Sequence, residues 1–314
     1  MPFGFTAPWV QNLFTFTVMY AALATAWNIV GGYSGYISLG HASFFGVGAY
    51  TIGYWFTHAS IGGGYRPFFA LPLVGIGVGI ASIPVAWVAF RTRAATFAIV
   101  TITLLFVTQQ LAFNLRSLTG GSQGLALPTP NFPVSTYEVP FYFAMLGVLA
   151  LSVFSSWYIR GSKLGLALLA IRDDEDRARG LGVQVEVMKL AAFAVSAGLV
   201  AMAGGLWAYH LTFIYPQFAV DPLVTIGMVL MVYLGGRGTL WGPVLGAFIL
   251  VPAQQYLAYR LGASDLYLVG YSAVFLVVIL LLPRGVLPSI DDRMRRFRGR
   301  RVSAARSPKQ AVVS

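Results

Sequence analysis

The chain has 314 residues, of which 57% are hydrophobic and only 10% are charged, and its mean hydropathy is +0.73. About a quarter of the residues in soluble proteins are charged, whereas here no Asp, Glu, Lys or Arg precedes Arg66. This composition excludes an ordinary soluble domain and predicts an all-α, polytopic helical membrane protein. There is no Cys, which excludes disulfides and thiolate metal sites, and the three His residues cannot by themselves form a metal centre.

The predicted membrane spans follow from the length of the apolar runs, since a helix needs about 20 apolar residues to cross a bilayer. Regular segments lie near residues 11–30, 68–90, 94–113, 140–159, 187–209, 241–260 and 266–283. Two more segments are irregular: 36–57 is rich in small residues, and 222–235 is short and closes on Gly235 and Gly236. We predict eight to ten transmembrane segments, with the two irregular ones as broken or re-entrant Gly-rich helices.

Basic residues gather in three stretches that we expect to lie in the cytoplasm, because positively charged loops are retained on that side. These are Arg91 with Arg93, the loop 160–189 with six Lys or Arg residues, and the tail after residue 283. Nine segments put the N-terminus outside, whereas a re-entrant 36–57 puts it inside, and the sequence leaves both arrangements open. We divide the chain into a transmembrane domain, 1–285, and a basic cytoplasmic tail, 286–314. The tail is expected to be disordered and to contact anionic lipid headgroups rather than nucleic acid.

The inventory of reactive side chains excludes several classes of function. All ten carboxylates lie in predicted loops, at segment ends or in the tail, whereas carriers coupled to protons or Na⁺ usually need ionisable groups within the membrane. No GxxxxGK[ST] phosphate loop is present, so the chain lacks that kind of ATP site. HExxH is also absent, and no buried acid/base pair is available for an intramembrane enzyme. What remains is a passive pore or a permease that a separate subunit drives.

The loop 160–189 contains a pattern typical of a short surface helix. Residues 173–179 read DDEDRAR, with acids first and arginines last, an order that the helix dipole favours. Gly182 is well placed to end this helix, and Leu181 adds an apolar contact there. We expect an amphipathic helix on the cytoplasmic face, either as a solvated connection or as a surface that fits a cytoplasmic partner.

Two Gly-rich segments, 36–50 and 233–247, are candidates for the route of a solute, because broken helices line the midplane site in transporters built from repeats. The candidate residues are Ser38, His41, Ser43, Thr101, Gly235 and Gly236. Small residues at these positions are equally compatible with plain helix packing. A neutral His41 that is hydrogen-bonded to backbone is the alternative to a pore-lining histidine.

Four stretches of the sequence form a pattern that covers most of residues 28–285. One is A-I-R-D-[DN]-E-x-x-[AR]-x-x-L-G-V ahead of an Ala/Gly-rich helix, here AIRDDEDRARGLGVQVEVMKLAAFAVSAGLVAMAGGLWAY. The others are YSGYISLGHASFFGVGAYT, ATFAIVTITLLFVTQQLAFNLRSLTGGSQGL and VLMVYLGGRGTLWGPVLGAFIL. Together they resemble the LivM-type permeases of bacterial branched-chain amino-acid ABC importers. The DDEDRAR run is more highly charged than in relatives, which often place Ala among the acids.

The resemblance implies an all-α, type II-like permease of the bacterial inner membrane that works with three kinds of partner. These are a second, LivH-like permease chain, two cytoplasmic ATP-binding subunits and a periplasmic solute-binding protein. ATP and Mg²⁺ would bind in the partner subunits, and this chain would hold no cofactor and have no enzymatic activity. Residues 170–183 would form the coupling helix, seated in a groove of an ATP-binding subunit. Its coupling residues would be Arg172, Asp173, Asp174, Glu175, Arg177, Leu181 and Gly182.

Two further assignments stay open on the sequence. The loop of Thr119, Gly120 and Gly121 either meets the solute-binding protein or is an ordinary exposed turn. The solute is a branched-chain amino acid or a similar small polar molecule, since relatives that look alike carry urea, short amides or aromatic acids. A stand-alone channel for urea or another neutral solute is the alternative of a different class. It suits the uncharged spans but does not explain the long helical loop 160–189.

Overall fold

The computed structural model describes residues 8–58, 63–133, 136–261, 273, 276 and 285–289. The helices are α1 (Pro8–Gly31), α2 (His41–His58), α3 (Arg66–Ala89), α4 (Ala94–Asn114), α5 (Arg116–Thr119), α6 (Glu138–Gly161), α7 (Lys163–Asp173), α8 (Glu175–Gly180), α9 (Val185–Leu211), α10 (Pro216–Ala219), α11 (Pro222–Gly235) and α12 (Gly242–Leu261). A 3₁₀ turn covers Gly121–Gln123, and two short strands, β1 (Leu125–Ala126) and β2 (Phe213–Ile214), pair antiparallel. The prediction of an all-α membrane protein is confirmed.

The long helices coincide with the predicted spans. Six of them in the described part of the chain are long and apolar enough to cross a bilayer: α1, α3, α4, α6, α9, and α10 with α11 taken together. The α2 helix, with 18 residues, and the α12 helix, with 20, occupy two more of the predicted positions. The ninth position, 266–283, lies almost wholly outside the described residues, as does the tail beyond 289.

The α9 helix is the centre of the bundle, because it packs against α1, α2, α3 and α6. Small residues let the backbones approach: a Cβ atom added at Gly79 of α3 would lie 2.8 Å from the carbonyl oxygen of Ala194. One added at Gly75 would lie 3.0 Å from the carbonyl oxygen of Gly198. Close approach of this kind holds membrane helices together, since lipid offers no hydrophobic drive for their association.

The irregular segment 36–57 begins in a loop and continues from His41 as one helix, so its predicted break lies at its start. The α1 helix ends at Gly31, residues 32–40 are not helical apart from a turn, and α2 begins at His41. His41 lies beside Ser196, near the middle of α9. The Gly53 backbone near the other end of α2 approaches the side chains of strands β1 and β2. The α2 helix therefore starts halfway along the bundle and is reached through the loop 32–40.

The second irregular segment differs from the prediction. Residues 222–235 form one continuous helix, whose N-terminus is capped by the Asp221 carboxylate at 2.8 Å from the Leu223 amide. The interruption lies after it, where Gly236 adopts a φ of 123° and the turn 236–241 leads into α12. The helices α11 and α12 pack closely as a hairpin, so the break is a turn between two helices and not a re-entrant helix.

The two ends of the bundle differ in charge. Arg91, Arg93, α7 and α8 line one cavity at what we call the basic end. The C-terminus of α1 lies at this end, because the carbonyl of Gly32, directly after α1, accepts a hydrogen bond from Arg172. Near the start of α1, the Thr15 hydroxyl lies 3.4 Å from the Glu138 carboxylate at the opposite end. This order matches the nine-segment arrangement, in which α1 begins on the side away from loop 160–189.

Candidate functional site

The loop 160–189 folds into two short helices joined at Asp174. The Ser162 side chain accepts a hydrogen bond from the Gly165 amide and caps α7. The Asp174 side chain accepts one from the Arg177 amide at 3.0 Å and caps α8, as expected for these residue types at N-caps. Gly182, with a φ of 87°, follows the end of α8. The predicted acid-first, base-last helix is confirmed, although its first acids belong to α7 and to the cap.

The outer face of α8 is exposed. Arg177 and Asp174 form an ion pair at 3.0 Å on this face, with 86% and 41% of their side chains exposed. Leu181, which is 85% exposed, projects an apolar side chain beyond the helix end. Asp173 and Gly182 are exposed beside them. We group these four exposed positions of the predicted coupling set with Asp174 and call them the docking face, after the role that we propose for them below.

Glu175, the remaining acid of the predicted set, faces inward. Its carboxylate accepts hydrogen bonds from the Tyr36 hydroxyl and from the Lys189 ammonium, the latter at 3.0 Å. Arg179 approaches the same carboxylate at 3.4 Å. Burial alone raises the pKa of Glu175, but the hydrogen bonds from Tyr36 and Lys189 and the nearby positive charges outweigh it and lower the pKa below its ordinary value. Glu175 therefore attaches α8 to the bundle.

Lys189 is the functional candidate that the sequence analysis did not identify. It was counted among the basic residues of loop 160–189, whereas it lies in the first turns of α9 and is only 1% exposed. Its Nζ atom is 4.4 Å from the ring centroid of Tyr36 and 5.2 Å from that of Phe90. A signal was present in the spacing, because Lys189 stands midway between the buried Val185 and Phe193 on one helix face.

Arg172 joins the two Gly-rich loops at the basic end. Its Nη1 atom donates to the Gly32 carbonyl at 2.9 Å, and a Cβ atom added at Gly238 would lie 2.7 Å from the same nitrogen. The Asn28 side chain, in the last turn of α1, contacts the turn 236–241, since it donates to the Thr239 carbonyl and accepts from the Gly238 amide, both at 3.0 Å. The correspondence of 36–50 and 233–247 as repeats stays a prediction, and what the structure shows here is that Arg172 and Asn28 hold the turn 236–241 next to the end of α1.

A cavity of about 770 Å³ opens at the basic end beside α7 and α8. Its charged lining comprises Arg91, Arg93, Arg172, Arg179 and Arg237 with Asp173, Asp174, Glu175, Asp176 and Glu186. The five positive and five negative side chains balance, so the cavity does not select ions of one sign. Such a mixed surface is suited to a protein partner that presents charges of both signs.

The predicted solute residues divide into two groups. His41 is fully buried, with Nδ1 at 2.8 Å from the Ser38 hydroxyl and Nε2 at 2.9 Å from the Ser196 hydroxyl. Ser196 donates its own hydrogen to the Ala26 carbonyl at 2.6 Å, so it accepts from Nε2–H, and Ser38 donates to Nδ1. His41 is thus held by two side chains and not by backbone. It lines neither the basic-end cavity nor the groove described below.

The other predicted solute residues are placed separately. The Thr101 hydroxyl accepts from the Leu39 amide at 3.0 Å and holds the loop that enters α2. The Ser43 hydroxyl is buried and has no hydrogen-bond partner among the described residues. Gly235 and Gly236 lie at the end of α11, where Gly236 adjoins Pro288. The structure therefore groups Ser38, His41, Ser43 and Thr101 around the start of α2 and puts Gly235 and Gly236 at the basic end.

The loop Thr119-Gly120-Gly121 forms an ordered turn at the opposite end. The Thr119 hydroxyl donates to the Ala112 carbonyl at 2.6 Å and accepts from the Gly121 amide at 3.2 Å. Thr119 and Gly121 are buried and Gly120 is half-buried. A protein that approached this turn would meet its exposed neighbours, Arg116 and Leu118, rather than Thr119 itself.

An apolar groove of about 410 Å³ separates α2 from α4. Gly46, Tyr50 and Tyr54 line it from α2, and Thr108 and Leu111 line it from α4. The Tyr50 hydroxyl is buried and has no hydrogen-bond partner among the described residues. The groove runs along the side of the bundle, where lipid or another membrane protein would cover it.

A second buried contact between titratable side chains lies at the opposite end of α9. The His210 Nε2 atom is 3.0 Å from the Glu138 carboxylate, and the Tyr137 hydroxyl donates to the His210 carbonyl at 2.7 Å. The Phe141 ring lies edge-on to the His210 ring at 4.8 Å. Glu138 is the first residue of α6, where the helix dipole favours an acid, and not a residue of a free loop. No cluster of three or more metal-ligating side chains occurs among the described residues.

Comparison with known proteins places these features in a family. Residues 10–283 match the family model described as branched-chain amino acid transport system, permease component. The permease protein LivM of the high-affinity branched-chain amino acid transport system of Salmonella typhimurium LT2 is 28% identical, over 90% of this chain and 71% of its own. The corresponding LivH protein of the same strain is 26% identical, over 85% of this chain and 91% of its own.

More distant import permeases also match. The autoinducer 2 import system permease protein LsrC of Yersinia pseudotuberculosis strain PB1/+ is 30% identical, over 63% of this chain and 56% of its own. No solved structure matches this chain. Because the family model covers most of the chain, including the docking face, the His41 cluster and the contacts at both ends of α9, this polytopic membrane protein belongs to the family of branched-chain amino acid transport system permease components.

Proposed function

We propose that this permease belongs to an ATP-driven importer of the bacterial inner membrane and that the docking face of α8 receives a cytoplasmic ATP-binding subunit. The observation that carries the proposal is the two-faced character of α8. Its outer face exposes Arg177 and Leu181, while Glu175 on its inner face is bonded to the buried Lys189. A six-residue helix built in this way can transmit force from a partner to the bundle.

The charge distribution supports an external source of energy. Among the described residues, the carboxylates near the membrane region, Glu138 and Asp221, stand at helix starts. The buried Lys189 is paired and lies at the basic end. A carrier driven by protons or Na⁺ usually needs such groups within the membrane. ATP and Mg²⁺ would accordingly act in the partner subunits, with no cofactor in this chain.

The proposed solute is a branched-chain amino acid or a similar small polar molecule, delivered by a periplasmic binding protein. Support comes from the names of the related LivM and LivH permeases. Because these two relatives belong to one kind of transport system, we infer that this chain pairs with a second, LivH-like permease. The apolar groove between α2 and α4 is a surface that such a chain can cover.

The docking proposal is tested with Arg177→Glu combined with Leu181→Asp, because both side chains are exposed and neither supports the bundle. We expect the variant to reach the membrane at normal levels but to lose the ATP-binding subunits during purification in detergent. Arg116→Glu, a charge reversal at the opposite end, is the matched control and should retain them. Retention of the subunits by the double variant would contradict the docking role.

The nature of the transport is tested in proteoliposomes. The complete importer with its binding protein should accumulate labelled leucine only when ATP is supplied to the ATP-binding subunits. Vesicles that hold this chain alone should take up neither leucine nor urea. Rapid urea entry into those vesicles would instead favour a stand-alone channel. Competition by unlabelled solutes for the binding protein then ranks branched-chain amino acids against urea, amides and aromatic acids.

A further inference from the structure

We propose that Lys189 is a positioning residue that joins the docking face to the His41 cluster, so that movement of α8 is passed to α9 and to loop 32–40 together. This inference rests on the proposed function, because it needs a partner that moves α8. Neither Lys189 nor Tyr36 was among the residues that the sequence singled out. Both are defined by the contacts they make in the folded chain.

The joint consists of three groups from three elements. The Lys189 ammonium on α9 lies 3.0 Å from the Glu175 carboxylate on α8 and 3.2 Å from the Tyr36 hydroxyl in loop 32–40. The Tyr36 hydroxyl in turn donates to the other oxygen of Glu175. Each group therefore touches both of the others, and none of the three elements can shift without disturbing the other two.

Burial makes the Lys189–Glu175 contact costly to separate. Lys189 is 1% exposed and Glu175 is 26% exposed, so separating them would leave an ammonium group without solvent or a counterion. Such a charge is costly to leave unpaired in a protein interior. The α8 helix is thus more strongly tied to α9 than the exposed Arg179–Glu186 pair alone would allow, since exposed pairs contribute little.

Aromatic rings complete the surroundings of the ammonium group. The rings of Phe90 and Phe97 are stacked at 4.6 Å, and Tyr36 meets both edge-on at 5.4 Å and 5.3 Å. Phe90 follows the end of α3 and Phe97 belongs to α4. A cation over such rings gains further stabilisation. The ends of α3 and α4 are thereby included in the same packed unit.

Two routes lead from Lys189 to His41. Along α9, Phe193 lies one turn further on with its ring 5.3 Å from that of His41, and Ser196 is bonded to His41 Nε2. Along loop 32–40, Tyr36 is followed by Ser38, which is bonded to His41 Nδ1. Both routes therefore end at the buried imidazole of His41, at the start of α2. Contiguity of this kind needs a direct test of energetic coupling.

The test uses the assembled importer, with both permease chains, the ATP-binding subunits and the binding protein, in proteoliposomes. The variants are Tyr36→Phe, Lys189→Met and the double variant Glu175→Gln with Lys189→Met, which leaves no unpaired charge. ATP hydrolysis and leucine uptake are measured on the same vesicles, together with the stimulation of hydrolysis by loaded binding protein. Lys163→Met on the exposed start of α7 and Tyr158→Phe on the exposed face of α6 are the matched controls.

We expect the two Lys189 variants to keep their ATP-binding subunits and to hydrolyse ATP, while leucine uptake per ATP falls roughly tenfold, a typical strength of coupling between sites. Tyr36→Phe should also lower leucine uptake per ATP, but by a smaller factor. Stimulation by loaded binding protein should fall in parallel, which a merely structural role would not cause. The controls should match the wild type.

Two outcomes would overturn the proposal. One is a double variant of normal thermal stability whose uptake per ATP equals that of the wild type. The other is a set of variants that are less stable but keep the wild-type value of leucine uptake per ATP. Lys189 would then be a structural residue only. If the Lys189→Met protein is not obtained in normal amounts, the Tyr36→Phe and double variants decide between a positioning role and a structural role. Failure of the proposed function is recognised separately, since the wild-type chain would then neither retain the ATP-binding subunits nor couple uptake to ATP.

Discussion

The two ends of α9 carry the same kind of contact to very different partners. At the basic end, Lys189 is bonded to Glu175, which belongs to a helix of only six residues. At the opposite end, His210 is bonded to Glu138, the first residue of a helix of 24 residues. The first contact attaches a short exposed helix to the bundle, whereas the second joins two full-length helices that also pack along their sides.

The difference in partners shows what each of these two contacts contributes. The α6 helix is held by its own apolar packing against α1 and α9, so the His210–Glu138 pair adds to an interface that exists without it. The α8 helix buries only Ala178 among its own residues, so its position depends on Glu175 and the residues around it. The basic-end contact is thus the more critical of the two.

The largest effect is expected from Glu175→Lys, which would place a second ammonium group beside the buried Lys189. Breaking a buried pair in this way costs about 3–5 kcal/mol, and thermal unfolding in detergent should show a clear loss of stability. Glu138→Lys at the opposite end should cost less, because α6 is also held by its packing against α1 and α9. Equal losses at the two ends would show that the basic-end contact is not special.

A smaller effect is expected from His210→Phe, which leaves the Glu138 carboxylate, 19% exposed, without its imidazole partner. A buried acceptor left without a donor costs about 1–3 kcal/mol, and the loss here should lie towards the lower end because the Thr15 hydroxyl still donates to Glu138 at 3.4 Å. His210→Gln keeps an N–H donor and should recover part of this loss. The comparison of the two variants by thermal unfolding measures the hydrogen bond itself. If both variants unfold at the same temperature, the hydrogen bond contributes nothing.

Acid should weaken the basic-end contact in a predictable direction. The pKa of Glu175 is lowered in the folded state, so its contribution is complete above the unfolded pKa of about 4.3 and is lost as the pH falls through the folded value. The stability difference between the wild type and Glu175→Gln should therefore be constant near neutral pH and shrink below about pH 4. A difference that grows on acidification would contradict the assigned contacts with Lys189 and Tyr36.

The smallest effect is expected from Arg177→Gln on the docking face. Its ion pair with Asp174 is exposed, and exposed pairs on one helix contribute about 0.5 kcal/mol or less. Thermal unfolding of the isolated permease should hardly change. A loss as large as that of His210→Phe would show that the outer face of α8 also contacts the bundle.

The positions of the helices could be predicted from sequence because their signals are local. Each span needs its own long apolar run. The α8 helix begins directly after its cap, Asp174, and ends before Gly182, because a capping side chain and a glycine act within a few residues. The break before α2 was also predictable from the small residues of 36–57. The continuous α11 was not, since the short apolar run gave no sign that α10 extends it to span length.

By itself the sequence determined that this is a helical membrane protein, where its spans lie and which family its motifs resemble. Only the tertiary structure decided that Glu175 faces inward, that Lys189 is buried, and that His41 is bonded to Ser196. The physical reason is separation along the chain: Lys189 meets Tyr36 across 153 positions and His41 meets Ser196 across 155. Whether a charged or polar side chain is exposed or paired depends on such distant partners, and no local pattern of residues records them.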